Sequence, residues 1–529
     1  MLLRLPPPPR ADPTVRGASY LATLAQNIQP AWAQYLENCR LMLRRDHPLN
    51  AMSLAATAEL VIDRTGQLVI SELITSNNAE FDRAIRELLA EANRVAAPPS
   101  ELLSDDDRVH IRWLFARDHR QAGAATASVT AVELPLLMVA ERLLGQGELA
   151  RAATRVASAP SSPDRSVATE RVMTAALNEA LVAPSTGARR AAVEAAQVAN
   201  QRGLVPVLIT MASTETDREL RGAAIAALGV LGDSSTVAVL EGLLVSELRA
   251  GSQLAIVATN ALVALGASAV AAAAIGAALA AGPASAREVA LECHGIAPTP
   301  SIAATLSAWF RRGDARTRAS VCSAIAVDAG PVTILLRGLG DADATVRATC
   351  AAAASRRTAI DRSTLRRLRE LTRDRDYQVR AAAVAAIAKR EPVVGAIDDP
   401  ASEVRRAAVV IASESELRGL AFDADPDVRA AAIARLGVVH PTEAVRAIAD
   451  PAAQVRRAAV PLVTDPSALE RLATDPAPEV ATIALTTLVA HRGRLATTPA
   501  LLRRLAAAPA GSVERVRIAR AWLLAPNGP

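Results

Sequence analysis

The sequence predicts a mostly α-helical chain: an α-solenoid preceded by a small α+β domain of order α-β-β-α-β. Three observations predict it. A short acidic turn, then Val-Arg, then an Ala-rich helix recurs at near-constant spacing through the C-terminal half. The 529 residues are 51% hydrophobic but only 2% aromatic, so Ala, Leu and Val must build the interior. Six of the eleven aromatics also crowd into residues 19–120, where strand-like runs replace the helical repeat.

The clearest copy of the repeat is Asp423-Ala-Asp-Pro-Asp-Val-Arg429, continued by an Ala-rich run to Gly437. Counted from the turn Asp to the Arg six residues on, it recurs as Asp341/Arg347, Asp374/Arg380, Asp399/Arg405, Asp423/Arg429 and Asp450/Arg456. Asp475 repeats the turn with Ala481 in the place of the Arg. Such a period marks stacked helical pairs, each buried by its neighbours. Arg190, Arg221, Arg287 and Arg318 extend the register backwards, and Val516-Arg517 repeats the step near the end. The array therefore holds roughly ten to twelve pairs.

Each turn Asp is expected to cap the next helix, where its carboxylate meets free N–H groups and the positive end of the dipole. Pro400, Pro451 and Pro476 follow the Asp directly and are expected to help begin the helix. The Arg, one turn in, can reach an Asp of the adjacent repeat. The ten residues named above would then form a structural ladder of charged hydrogen bonds.

Residues 19–120 read differently. A helix is expected over about 31–45, with Trp32, Tyr35 and Leu36 on one face. Residues 54–62 and 67–74 read as strands joined by the turn Asp63-Arg-Thr-Gly66, in which Gly supplies a positive φ. Thr75-Ser-Asn-Asn78 opens a helix over 79–93, with Phe81, Ile85, Leu88 and Leu89 at helical spacing. Arg108-Val-His-Ile-Arg-Trp-Leu-Phe115 alternates and reads as a third strand. The domain reading is a disordered Pro-rich lead (1–18), the α+β domain (19–120), a linker and helical adaptor (121–185, with Ala122–Ser128 as small-residue linker), and the solenoid (186–529).

Composition narrows function. The net charge of +5 is small for this length, and all cations but Lys389 are Arg. No concentrated basic patch stands out, so nucleic acid is not an expected partner. Residues 251–286 carry no charge but are mainly Ala, Gly and Ser, broken by Gly266, Gly276 and Gly282-Pro283. They read as buried repeat helices, and no transmembrane segment is expected. MLLRLPPPPR at the start is no secretory signal. Cys322 and Cys350 follow the signature Arg at buried helix positions; the count of four cysteines decides neither pairing nor compartment. The histidines are scattered, and Asp105-Asp-Asp107 reads as a solvated turn. No P-loop, Gly-x-Ser-x-Gly or metal-ligand spacing occurs, so no catalytic residue, metal or cofactor is expected and the chain reads as no enzyme.

Two resemblances add to this reading. The Trp-containing helix, Leu60-Val-Ile-Asp-Arg-Thr-Gly66, Thr75-Ser-Asn-Asn with Phe81-Asp82, the Pro98-Pro99 break and the strand ending Trp-Leu-Phe115 resemble the C-terminal domain of the TonB/TolA family of periplasmic energy transducers. It covers about a fifth of the chain. The Asp-Pro-x-x-x-Val-Arg-x-x-Ala pattern resembles HEAT repeats, especially the short bacterial kind related to phycobilisome-lyase repeats. Together they imply a non-catalytic protein–protein interaction scaffold, with an outer-membrane or other envelope protein as partner. The last strand, 108–116, with Val109, Ile111, Trp113 and Phe115, would be the edge that takes a partner peptide. The alternatives are a cytoplasmic HEAT scaffold or regulator, and a HEAT-like enzyme acting on nucleic acid or a chromophore. Compartment stays open: envelope if an export signal or anchor lies upstream, otherwise cytoplasmic.

Overall fold

The computed structural model describes residues 15–118, 122–299, 302–325, 332–388 and 390–526. The Pro-rich lead before residue 15 and the last three residues lie outside them. The chain divides into two compact units at Arg142/Leu143.

The first unit packs α1 (Ala18–Met42) and α2 (Ala79–Glu91) against an antiparallel sheet of β1 (Ala55–Asp63), β2 (Leu68–Ile74), β3 (Arg108–Ala116) and β4 (Ser128–Thr130), in the order β2-β1-β3-β4. Helix α1 starts well before the expected residue 31 and runs through Pro30. The reason is a continuous buried stripe, Leu21, Leu24, Ile28, Trp32 and Leu36, at three- and four-residue steps on both sides of the proline. That burial outweighs the one lost hydrogen bond. Trp32 is the hub: it stacks on Tyr35 and meets Phe81 and Phe115 edge-on, with ring centroids 5.1–5.2 Å away. In the hairpin turn, Asp63 Oδ1 accepts from the backbone N–H groups of Thr65 and Gln67. Gly66 has φ +84°, and a Cβ there would stand 2.1 Å from the Val95 carbonyl oxygen. Gly66→Ala is therefore expected to cost the unit about 2–3 kcal/mol, read as a lower urea midpoint.

The linker expectation for 122–128 is corrected. Gly123–Ala125 form a 3-10 turn and β4 adds a fourth strand to the sheet. Arg142 also donates to the Asp105 carbonyl and pairs with Asp107, within the same unit.

α3 (Leu136–Gly145) spans the boundary. The second unit continues with α4 (Leu149–Ser158), α5 (Pro163–Leu181), α6 (Thr186–Val198), α7 (Val205–Thr214), α8 (Arg218–Leu231), α9 (Ser234–Ala250), α10 (Leu254–Ala264), α11 (Ser268–Ala281) and α12 (Ala284–His294). Then come α13 (Ala303–Arg312), α14 (Ala315–Ala324), α15 (Val332–Leu339), α16 (Ala344–Arg356), α17 (Arg362–Leu371), α18 (Tyr377–Ile387), α19 (Ser402–Ala408) and α20 (Glu414–Leu420). The array ends with α21 (Pro426–Val439), α22 (Pro441–Ala447), α23 (Ala453–Ala459), α24 (Pro466–Leu472), α25 (Pro478–Arg492), α26 (Arg494–Ala507) and α27 (Val513–Leu524).

The second helix of each pair stacks on the second helix of the next: α6, α8, α10, α12, α14, α16, α18, α19, α21, α23, α25, α27. The row then closes. α27 packs on α5 and α6, and α26 packs on α4. Among the described residues the second helices touch at every step, whereas first helices meet at fewer, as at α9/α11 and α15/α17, so the second-helix row has the shorter circumference and lines the inside of the ring. Because α5 pairs with α6 and receives α27, and α4 receives α26, the array begins before residue 186 and takes in α4 and α5 of the linker and adaptor expected over 121–185. The residue before each ladder Arg, Val346, Val379, Val404, Val428 and Val455, is at most 1% exposed. Each repeat thus buries its Val between helices and sends its Arg sideways along the row.

Candidate interaction surfaces

Two constructions could carry function: the outer half of the small sheet and the inter-repeat ladder. In β3 the side chains of Val109, Ile111, Trp113 and Phe115 all point into the core at 0–1% exposure. On its outer side β4 pairs with it over His110–Arg112. The expected free edge is therefore corrected. Strand β3 is interior to the sheet, because a three-residue strand starting at Ser128, the last residue of the expected linker, covers its middle. No β4 partner covers Trp113–Ala116, and there β3 borders a groove of 1520 Å³ against α1. Gln26, Gln29 and Ala33 of α1, Leu114 and Gly123 line it, with Met52 at its margin.

In the repeat unit each ladder guanidinium makes a fork. Arg347 Nε and Nη2 donate to Asp374 at 2.8 and 2.9 Å, while Nη1 donates to the carbonyls of Asp341 and Ala342 in its own turn. The same geometry joins Arg318 to Asp341, Arg380 to Asp399, Arg405 to Asp423, Arg429 to Asp450 and Arg456 to Asp475, at 2.7–2.9 Å. The Asp is a hub in turn: Asp423 Oδ1 accepts from the Asp425 N–H. This corrects the capping expectation. The N-caps are Asp343, Asp376 and Asp425, two residues later, and Ala401 or Ala452 where no acid follows. Pro400, Pro451 and Pro476 precede the helix starts by two residues and occupy the turn itself.

Bonding to the fork holds the carboxyls of Asp341, Asp399, Asp423, Asp450 and Asp475 below the usual carboxylate range, and the paired guanidinium groups are pushed up. A carboxyl depressed by folding stabilises fully above its unfolded value, near pH 4, and loses that contribution as pH falls through the folded value. The melting temperature of the repeat unit is expected to fall steeply below about pH 4. Thermal circular dichroism between pH 7 and pH 2 checks it.

Nearer the chain's middle the ladder changes acid. Arg189, not Arg190, bonds Glu215 at 3.1 Å and its own turn's carbonyls, while Arg190 makes an exposed pair with Glu219. Arg221 pairs with the buried Glu247. At the ring closure Arg515 donates to Glu179 at 2.6 Å and the Gly511 N–H to the same carboxylate. Arg517, the residue expected in register, instead pairs with Glu514 of its own helix. Further along α27, Trp522 is 1% exposed and ties α27 to α26, its Nε1 donating to Thr498 Oγ1 at 2.9 Å and Arg494 lying over its ring.

Two further features had no clear sequence signal. Cys322 of α14 and Cys350 of α16 form a disulfide between consecutive repeats. Both are fully buried, and Gly338 of α15 leaves room for it: a Cβ there would stand 2.1 Å from Cys350 Sγ. Their spacing of 28 residues, one repeat, was the available hint. Cys293 is a buried free thiol whose pKa burial pushes up to about 11. His294 is buried beside it, its Nδ1 accepting from the Thr299 N–H, and burial lowers its pKa. Among the described residues no group of His, Cys, Asp or Glu is placed to hold a metal ion.

Comparison with known proteins follows this division. The family model described as TonB C terminal matches residues 17–111, and that described as HEAT repeats matches residues 174–259. No curated protein matches the chain. Among solved structures, a leucine-rich repeat variant with a novel repetitive motif is 24% identical, covering 45% of this chain and 87% of its own, with a TM-score of 0.25. Two crystal structures of importin beta are 12% and 15% identical, at TM-scores of 0.27 and 0.29. They cover 60% and 74% of this chain, and 55% and 71% of their own. The chain joins a TonB C-terminal-type domain to a HEAT-repeat array.

Proposed function

We propose that this chain is a non-catalytic adaptor of the bacterial envelope, in which the small domain takes an extended peptide and the repeat ring holds a second protein. The observation that carries the envelope reading is the Cys322–Cys350 disulfide, buried between two repeats. Disulfides form and persist in oxidising compartments such as the periplasm, whereas cytosolic thiols are kept reduced. The TonB-type domain supports the same compartment. No described helix is long and apolar enough to cross a membrane. The peptide would enter the groove beside α1, next to the stretch of β3 beyond its pairing with β4, and add main-chain hydrogen bonds there.

The decisive experiment fractionates the cells that make the protein and traps thiols before lysis. Release with the periplasmic contents, with two of the four cysteines protected from labelling, is expected. A reduced, cytosolic chain would replace this reading with the cytoplasmic HEAT scaffold. For the groove, Ala33→Arg on the exposed face of α1 is expected to abolish cross-linking to an envelope protein with the urea midpoint unchanged.

A further inference from the structure

The ladder does not run unbroken round the ring. Twelve second helices make twelve junctions, and among the described residues nine carry a ladder pair between an Arg and an acid that are at least partly buried: from Arg189, Arg221, Arg318, Arg347, Arg380, Arg405, Arg429, Arg456 and Arg515. The other three lack it for visible reasons. Between α10 and α12 the donor position is Ala255 and the acceptor position Ala281. Between α12 and α14 the donor is Arg287, but Arg312 stands where Asp341 stands one repeat later, so two cations face each other's places. Between α25 and α27 the donor is Ala481, and the turn Pro509-Ala-Gly511 has no acid.

We propose that the closed ring flexes as two stiff arcs hinged at these joints. One arc runs α14 to α25, stitched by six consecutive pairs and by the disulfide at its first junction. The other runs α27, α6, α8, α10 and contains the seam between the ends of the array, which the bonds of Arg515 and the Gly511 N–H to Glu179 hold shut. α12 lies between the arcs. A junction without a ladder pair rests on apolar packing, which is non-directional, whereas a forked charged pair fixes both distance and angle. At the α12/α14 joint the cross-repeat ion pair is Arg316–Glu288, where Arg316 is 78% exposed. Exposed pairs restrain little. The ring would then change its aperture without opening at the seam, where a linear array would be expected to fray.

Hydrogen exchange followed by mass spectrometry on the full chain tests this. Amides of α11–α13 and of α26 are expected to exchange about ten-fold faster than those of α16–α23, with α5 and α6 at the seam as slow as the latter. Uniform protection, or fastest exchange at the seam, would overturn the proposal. Arg312→Asp places the missing acceptor at the ladder position, where with Arg287 it would complete the fork found at the paired junctions. It is expected to slow exchange in α12 and α14 by about ten-fold. Unchanged exchange in that variant would mean that the missing pair is not what loosens the joint.

Discussion

Trp32→Ala is expected to remove most of the stability of the small α+β unit. The indole is 5% exposed and sits where α1, α2 and β3 converge, touching Tyr35, Phe81 and Phe115. Truncating such a side chain costs about 3–5 kcal/mol, because the transfer term and the cavity term add. A domain of this size is stable by only about 5–10 kcal/mol in total. Near-ultraviolet circular dichroism reads the result, since six of the chain's eleven aromatics lie in this unit. A urea midpoint equal to wild type would show that the cluster is not the unit's core.

Arg347→Ala should have the largest effect in the ring. Its side chain is 8% exposed and its partner Asp374 10%. Alanine removes the fork, leaves Asp374 without its counter-charge, and strips two carbonyls of their donor. Breaking a pair this buried by removing one partner costs about 3 kcal/mol, more than the pair's net worth, because the remaining charge stays desolvated. Arg347→Lys is expected to recover only part, since an ammonium cannot make two parallel bonds. Arg406→Ala, one residue past a ladder position and exposed, should stay within about 0.5 kcal/mol of wild type. Thermal melts of the three variants separate these outcomes.

What the sequence made legible follows from where the information lies. The hairpin at Asp63–Gly66 and the helix opened by Asn78 are set by residues adjacent in the chain, and both could be read. The Asp…Val-Arg period could also be read, because stacking imposes the same local chemistry on every repeat. Strand β4 could not, since three residues of Ser-Val-Thr carry no alternation and become a strand only because β3 offers an edge. The cap moved by two residues because the ladder Asp is committed to the neighbouring repeat's Arg, leaving the helix start to Asp343 or Asp425. The ring closure was least visible. It depends on the sum of small rotations between repeats, and its key residues, Glu179 and Arg515, stand 336 positions apart.

Closure also bears on how such a chain can evolve. In an open solenoid each repeat touches only its neighbours, so a repeat can be gained or lost and the array merely lengthens or shortens. Here α27 must land on α5 and α6, with Arg515 meeting Glu179. Duplicating or deleting one pair would carry that arginine a full repeat past its carboxylate and leave two apolar ends exposed. The number of repeats is thereby fixed, as the number of strands is fixed in a barrel. Change must come by substitution within repeats, which is where the missing pairs at Ala255, Arg312 and Ala481 are found.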